Sequence, residues 1–256
     1  HNDCSSSLLQ DCSRHNSDIS SPCSPHTNHF IPPMDFVIIA AGGSGNLITS
    51  ELVSPTMLTG AILSGGGSVR MGHEKGLTLL GGEPFILHVR RAMEGLVDEV
   101  IVSVAKGMAK TYAEALGEPF IIVEDETPGL GPLGGIIPVL SSAKGQYVLF
   151  SPCDTPFLRP KVCELIVSSL DGADGVVPKT GKTHYEPLHG MYKRQSGLVA
   201  FTEVVSNGDG SPQNAFDKLD LSFIPEEKLR EVDPELESFW NINTPKDLEL
   251  AERKFV

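Results

Sequence analysis

Short apolar runs alternate along the chain with longer segments in which apolar residues recur every three or four positions. Four runs are rich in valine and isoleucine and end in turn residues, which is typical of buried parallel strands. They are TGAILS (59–64), EVIVSV (99–104), FIIVED (120–125) and QYVLFS (146–151). Helical patterns lie at EPFILHVRRAMEGL (83–96), KGMAKTYAEALG (106–117), GPLGGIIPVLSSA (131–143) and RPKVCELIVSSL (159–170). The alternation predicts an α/β fold, a mostly parallel sheet with helices on both faces.

The second half of the chain is less regular. GVVPK (175–179) and LHGMYK (188–193) are predicted strands, and the sequence leaves open whether they run antiparallel to the rest. A helix is predicted near SGLVAFTEVVS (196–206) and a short one near QNAFDKL (213–219). These elements predict that the sheet continues beyond the regular parallel part.

The first and last helices have clear start signals. Pro84 lies near the first turn of the helix over 83–96, where a missing N–H costs nothing. At the other end of the chain Thr244 can cap, Pro245 fits the first helical position and Asp247 sits in the first turn. KDLELAERKF (246–255) therefore predicts a C-terminal helix.

The first 57 residues lack this organisation. Residues 1 to about 33 are rich in Ser, Asn, Asp and Pro without periodicity, which predicts disorder or reflects the choice of start site. The following MDFVIIAAGGSGNLITSELVSPT (34–56) is either an extra strand and turn or sequence outside the domain. No Arg or Lys follows its glycines, so we assign it no phosphate binding. We predict an N-terminal extension over 1–57 and a single domain over 58–256.

Charge and cysteine content exclude some classes of partner and indicate the cellular compartment. The 256 residues include 33 acidic and 20 basic side chains, a formal charge of −13 that repels nucleic acid and anionic membranes. No apolar run approaches the roughly 20 residues of a membrane span. The five cysteines are odd in number and lack zinc spacing, which suits a reducing compartment. We expect a soluble, cytoplasmic protein whose partners are neither nucleic acid nor membrane.

A glycine-rich loop after the first strand carries the candidate chemistry. LSGGGSVRMGHEK (63–75) places Gly65, Gly66 and Gly67 where bare backbone N–H groups can face a phosphate. Alone, a glycine run is more often a plain turn, and this one fits neither the Walker nor the dinucleotide pattern. Arg70 and Lys75 on the same loop favour a triphosphate ligand.

Five motifs in order resemble the molybdenum cofactor nucleotidyltransferases, and among them the guanylyltransferases most. They are LSGGGSVRMGHEKGLTLLGGEPFI, IIVEDETPGLGPLGGI, FSPCDTPFL, EPLHGMY and FWNINTPKDL. The resemblance implies the Rossmann-like three-layer α/β nucleotidyltransferase fold. It also implies transfer of GMP from GTP to the terminal phosphate of molybdopterin, yielding molybdopterin guanine dinucleotide and pyrophosphate. Implied protein partners are the proteins that insert the finished cofactor or the molybdoenzymes that receive it.

The resemblance also assigns roles to residues. The implied catalytic residues are Arg70, Lys75 and Asp154. Those implied to bind the nucleotide are Leu63, Ser64, Gly65, Gly66, Lys75, Ser103, Asp125 and Asp154, with Mg²⁺ on Asp154 and molybdopterin near Asn241 and Asn243. Magnesium prefers oxygen ligands, and a carboxylate at the C-terminal end of a buried strand is where an α/β sheet presents its site.

Each assignment has a structural alternative. Asp154 could simply organise the turn before Pro156, and Asp125 could belong to a solvated acidic loop. If Asn241 and Asn243 alternate along a strand end, both amides face one side, but they could equally brace the last helix. Ser103 stands where these guanylyltransferases often have asparagine, which weakens that contact.

Other candidates are set aside, and rival functions stay open. Glu74 replaces the more usual aspartate, a minor departure. His73, His184 and His189 are expected to be structural, and Cys153 and Cys163 to be small buried hydrophobes.

The resemblance implies guanine rather than cytosine as the base, because related cytidylyltransferases tend to carry alanine in place of Gly65. The alternatives are a cytidylyltransferase, another transferase of this fold, or a carrier without turnover.

Overall fold

A seven-stranded sheet forms the centre of the computed structural model, which describes residues 57–65, 74–117, 120–125, 127 and 129–255. Its strands are β1 (Leu58–Ser64), β4 (Glu99–Ala105), β5 (Ile121–Asp125), β6 (Tyr147–Pro152), β7 (Gly175–Pro178), β8 (Met191–Lys193) and β9 (Leu221–Ile224). A separate two-stranded ribbon consists of β2 (Leu79–Leu80) and β3 (Glu83–Pro84). The strand order is β5-β4-β1-β6-β8-β7-β9. The predicted extension, apart from Met57, lies outside the described residues, as do Gly66, Gly67 and Arg70.

Helices cover both faces of this sheet. They are α1 (Phe85–Met93), α2 (Ala109–Leu116), α3 (Pro132–Ser142), α4 (Pro160–Ser168), α5 (Arg194–Ser206), α6 (Glu226–Val232) and α7 (Pro245–Phe255). Buried side chains of α1, α2, α4 and α6 join one apolar cluster, and those of α3 and α5 join another. Neighbouring residues of β1 divide between the two clusters, Ile62 in the first and Leu63 in the second, because strand side chains alternate. The predicted three-layer, mostly parallel α/β fold is confirmed.

Strand directions resolve the orientation that the sequence left open. β8 pairs antiparallel with both β6 and β7, and β7 pairs parallel with β9. Of the two candidate strands, therefore, only β8 runs against the parallel strands. The predicted strand over 188–193 is too long, because Pro187–His189 forms a 3-10 turn that leaves three residues to pair with β6.

Three local predictions need correction. The predicted helix over 83–96 is too long: α1 runs from Phe85 to Met93, and Pro84, the last residue of β3, is its N-cap residue, next to the first turn as predicted. The short helix near QNAFDKL is a 3-10 helix, Pro212–Lys218. Asn241 and Asn243 do not lie on a strand end, because the segment between Trp240 and α7 pairs with no strand in the described structure. Sequence patterns also missed β9 and α6, each shorter than eight residues.

The C-terminal helix begins as predicted. Asp247 N donates to Thr244 Oγ1 at 3.2 Å, and Thr244 N donates to Asp247 Oδ2 at 2.9 Å. This reciprocal cap satisfies backbone donors that the first turn leaves free, with Pro245 at the first position. No helix within the described ranges has the length and apolar character needed to cross a membrane.

Candidate active site

The carboxyl ends of the central strands meet around one cavity of about 320 Å³. Strand register brings them together, since Leu63 on β1 lies between Ser103 on β4 and Pro152 on β6. Of the predicted site residues, those that line the cavity are Leu63, Ser64, Gly65, Lys75, Asp125, Asp154 and Asn241. Its wall also includes Gly131, Pro132, Gly135, Cys153 and Leu188, which sequence reasoning did not assign to it. A sheet edge of this kind is where open α/β folds bind ligands.

Lys75 reaches across the cavity from the 3-10 turn Lys75–Leu77. Its Nζ donates to Asp154 Oδ2 at 2.7 Å and to Asn243 Oδ1 at 2.6 Å. Among the described residues these bonds occupy two of the three N–H groups of the ammonium. One donor therefore remains for a ligand, and the positive charge lies beside Asp154, just beyond the end of β6.

Asp154 presents two unlike oxygens. Oδ2 accepts from Lys75, whereas Oδ1 is buried and has no hydrogen-bond partner in the described structure. The backbone is held in place because Ile242 N donates to Asp154 O at 2.8 Å. An unpaired buried carboxylate oxygen is costly, and it is a hard ligand of the type that Mg²⁺ binds.

The oxygen ligands around Asp154 suit a magnesium ion that completes its shell with water and substrate, not a metal held by protein side chains alone. Within the described ranges, no cluster of three or more His, Cys, Asp or Glu side chains could hold a metal. Magnesium usually takes one or two carboxylates and completes its shell with water and substrate phosphates. Asp154 is therefore the residue that would hold such an ion.

Asp125 lies at the end of β5, directly against helix α3. Its Oδ1 accepts from Thr127 N at 3.0 Å. A Cβ added at Gly134 would lie 2.2 Å from Asp125 Oδ2, so only glycine lets the helix come this close. The glycine pair inside a predicted helix was the sequence signal for this approach.

Ser103 is fully buried in the middle of β4. Its Oγ has no hydrogen-bond partner in the described structure, and a Cβ on Gly135 would lie 3.0 Å from it. Its neighbours Leu63 and Gly135 line the cavity, but Ser103 itself is not among the described lining residues. Its contact with a nucleotide stays a prediction.

The two asparagines after β9 occupy different places. Asn241 lines the cavity, whereas Asn243 accepts from Lys75. Asn243 N also donates to Asp247 Oδ2 at 3.1 Å. Asn243 thus helps to brace the start of the last helix, as the alternative interpretation predicted, and its side chain also reaches the site.

Burial keeps one histidine and two cysteines uncharged. Burial lowers the pKa of His189 to about 3, so its imidazole is uncharged at neutral pH. His184 is exposed and lies 3.3 Å from Glu186, and His73 falls outside the described residues. Burial raises the pKa of the Cys153 and Cys163 thiols to about 12 in each case. Both cysteines are the small buried groups that the sequence predicted.

Residues 60–228 match the family of MobA-like NTP transferase domains. The chain belongs to this family and is a nucleotidyltransferase. It is 36% identical to the molybdenum cofactor guanylyltransferase of Desulfosudis oleivorans over 76% of this chain and 94% of that protein. It is 34% identical to a probable molybdenum cofactor guanylyltransferase of Methanothermobacter thermautotrophicus over 74% and 96%, respectively.

A solved structure supports the same placement. Molybdopterin-guanine dinucleotide biosynthesis protein A from Archaeoglobus fulgidus matches with a TM-score of 0.64 and 28% identity. The match covers 77% of this chain and 97% of that one. The resemblance read from the five motifs is thereby confirmed at the level of family and fold.

Proposed function

We propose that this nucleotidyltransferase transfers GMP from GTP to the terminal phosphate of molybdopterin, giving molybdopterin guanine dinucleotide and pyrophosphate. The observation that carries the proposal is the Lys75–Asp154 pair in the cavity at the end of β1, where one Asp154 oxygen is buried without a hydrogen-bond partner in the described structure. The similarity to guanylyltransferases over three quarters of the chain supports the choice of GTP and molybdopterin. We assign this activity to a domain over 58–256.

The chain's own residues would bind the nucleotide at the end of β1 and along the loop that follows it. Leu63 and Ser64 end β1 at the cavity and Gly65 follows them, so their backbone can approach the nucleotide closely. Lys75 offers its remaining N–H to the phosphates, and Arg70 of the same loop would add a second cation. Contacts of Gly66, Ser103 and Asp125 with the nucleotide remain part of the proposal.

The reaction needs positioning and charge stabilisation more than a strong base. An oxygen of the molybdopterin phosphate attacks the α-phosphorus of GTP, the bond from that phosphorus to the bridging oxygen breaks, and pyrophosphate leaves. Lys75 would stabilise the negative charge that builds up on the phosphoryl oxygens. Mg²⁺ held by Asp154 would supply further neutralisation of phosphate charge.

The acceptor would approach from the side of Asn241 and Asn243. Asn241 lines the cavity and is exposed, so its amide can still bond to a substrate. Asn243 would act through Lys75, because its Oδ1 already accepts from the ammonium. The product would pass to the proteins that insert the cofactor or to the recipient molybdoenzymes.

We also propose that the reaction takes place in the cytoplasm, since Cys153 and Cys163 are free thiols suited to a reducing compartment.

Nucleotide preference tests the proposal directly. In calorimetric titrations with Mg²⁺ present, we expect GTP to bind at least about tenfold more tightly than CTP, because the similar proteins are guanylyltransferases and a site that pairs with one base rejects another. Addition of molybdopterin to the GTP complex should release pyrophosphate. Tighter binding of CTP would favour a cytidylyltransferase, and GTP binding without pyrophosphate release would indicate a carrier.

Replacement of Gly134 by alanine should weaken GTP binding about tenfold, which corresponds to one lost bond to a charged group. The added methyl group would displace the Asp125 carboxylate, which lies 2.2 Å from its position. Alanine is the better helix former, yet this clash should cancel any gain in stability.

Gly197→Ala is the matched control, because the nearest atom to its Cβ would lie at an ordinary 3.4 Å. It should stabilise α5 by about 0.4–1 kcal/mol and leave GTP affinity unchanged. Calorimetric titration measures the GTP affinity of both variants, and thermal unfolding measures their stability. Unchanged GTP affinity in Gly134→Ala would remove Asp125 from the nucleotide site.

A further inference from the structure

The hydroxyl of Tyr112 connects the two ends of the glycine-rich loop. Tyr112 is fully buried and lies on α2, outside the cavity lining. Its OH lies 2.8 Å from Ser64 Oγ and 3.0 Å from Glu74 Oε2. Ser64 is the last residue of β1 and Glu74 directly precedes Lys75, so one side chain bonds to both flanks of the loop.

The direction of these bonds follows from the donors present. An ionised carboxylate only accepts, so the phenol proton of Tyr112 is donated to Glu74. The phenol oxygen then accepts from the Ser64 hydroxyl. Both loop flanks are therefore held by a single relay, Ser64 to Tyr112 to Glu74, whose last bond is charge-assisted.

The relay also fixes the position of the 3-10 turn that carries Lys75. Glu74 O accepts from Leu77 N at 3.1 Å, which closes the 3-10 turn that carries Lys75. On the other side of Lys75, a Cβ at Gly76 would lie 2.2 Å from Ser64 Oγ, so this turn packs directly on Ser64. Lys75 is thus fixed between a residue bonded to Tyr112 and a residue that touches Ser64.

We propose that Tyr112 is a positioning residue that holds the end of β1 and Lys75 in the geometry that binds the triphosphate. The inference rests on the proposed function, since it concerns how GTP is held. Tyr112 does not touch the cavity, so it acts through Glu74 and Ser64 rather than on the substrate. Burial raises the pKa of the Tyr112 phenol, which keeps the proton available for the bond to Glu74.

Replacement of Tyr112 by phenylalanine tests the relay, because it keeps the buried ring and removes the OH alone. We expect the Kd for GTP and the KM for GTP to rise about tenfold, as for one charge-assisted bond. The KM for molybdopterin should stay within twofold. Tyr147→Phe is the matched control: Tyr147 is also buried, and its OH bonds to Ala173 O at the opposite end of the sheet. It should leave both constants unchanged.

A double-mutant cycle separates the relay from simple packing. In the Glu74→Ala background the carboxylate is already gone, so Tyr112→Phe should change the Kd for GTP by less than about threefold. A tenfold effect in both backgrounds would overturn the relay, as would equal GTP affinity of the wild type and Tyr112→Phe. If the wild type itself bound no GTP, the proposed function would fail, and this inference with it.

Discussion

Replacement of Lys75 by alanine is expected to lower kcat for GMP transfer by about 10³-fold, the usual effect of removing one preorganised charged donor. The ammonium lies 2.7 Å from Asp154 and has one donor left among the described contacts. Its positive charge is therefore in place before the reaction begins and needs no reorganisation when negative charge develops on the phosphoryl oxygens. Pyrophosphate release with GTP and molybdopterin measures the effect.

Two further variants sharpen this test. Lys218→Ala also removes a lysine that is paired with a carboxylate, Glu203, but away from the cavity, and it should keep full activity. Lys75→Arg keeps the charge but changes the shape of the donor, so it should recover only part of the rate. A Lys75→Ala enzyme with near-normal turnover would show that the phosphates are stabilised elsewhere.

Replacement of Asp154 by asparagine should lower turnover by a similar factor, about 10³-fold, through loss of charge stabilisation at the metal. The shape of the side chain is kept, but its negative charge is lost, and a neutral amide oxygen is a weaker ligand for Mg²⁺. The Mg²⁺ concentration for half-maximal activity should therefore rise at least about tenfold, one hard ligand being weakened. A titration of activity against Mg²⁺ measures both numbers.

Asp174→Asn is the control for the carboxylate. Asp174 also accepts side-chain and backbone bonds, from Ser196 and Asp220, but it does not line the cavity. Its amide can keep one acceptor, so activity and its Mg²⁺ dependence should match the wild type. If Asp154→Asn folded, lost activity and kept the wild-type Mg²⁺ dependence, Asp154 would act only by organising the turn before Pro156.

Much of the parallel half of the fold could be read from local patterns. The valine- and isoleucine-rich runs of β1, β4 and β6 are strands whose central side chains are buried, because helices cover both faces of the sheet. The fourth run forms β5 at the edge of the sheet, and its side chains are exposed or half-buried, not buried as the pattern predicted. The start of α7 was predictable because Thr244, Pro245 and Asp247 determine it within one turn. The pattern placed β8 but made it too long and left its direction open, and it missed β9, since such short strands carry few positions that can show a period.

Local patterns along the chain were enough to predict the alternating α/β order, the family, and the candidate residues Lys75, Asp125 and Asp154, because these depend on neighbours in the sequence. The folded structure was needed to show that Asn243 accepts from Lys75 and that Tyr112 joins Ser64 to Glu74. Lys75 and Asn243 are 168 positions apart, and Ser64 and Tyr112 are 48 apart. Such contacts depend on how the strands are ordered and packed in the sheet, and no local pattern encodes a distance between residues so far apart in the chain.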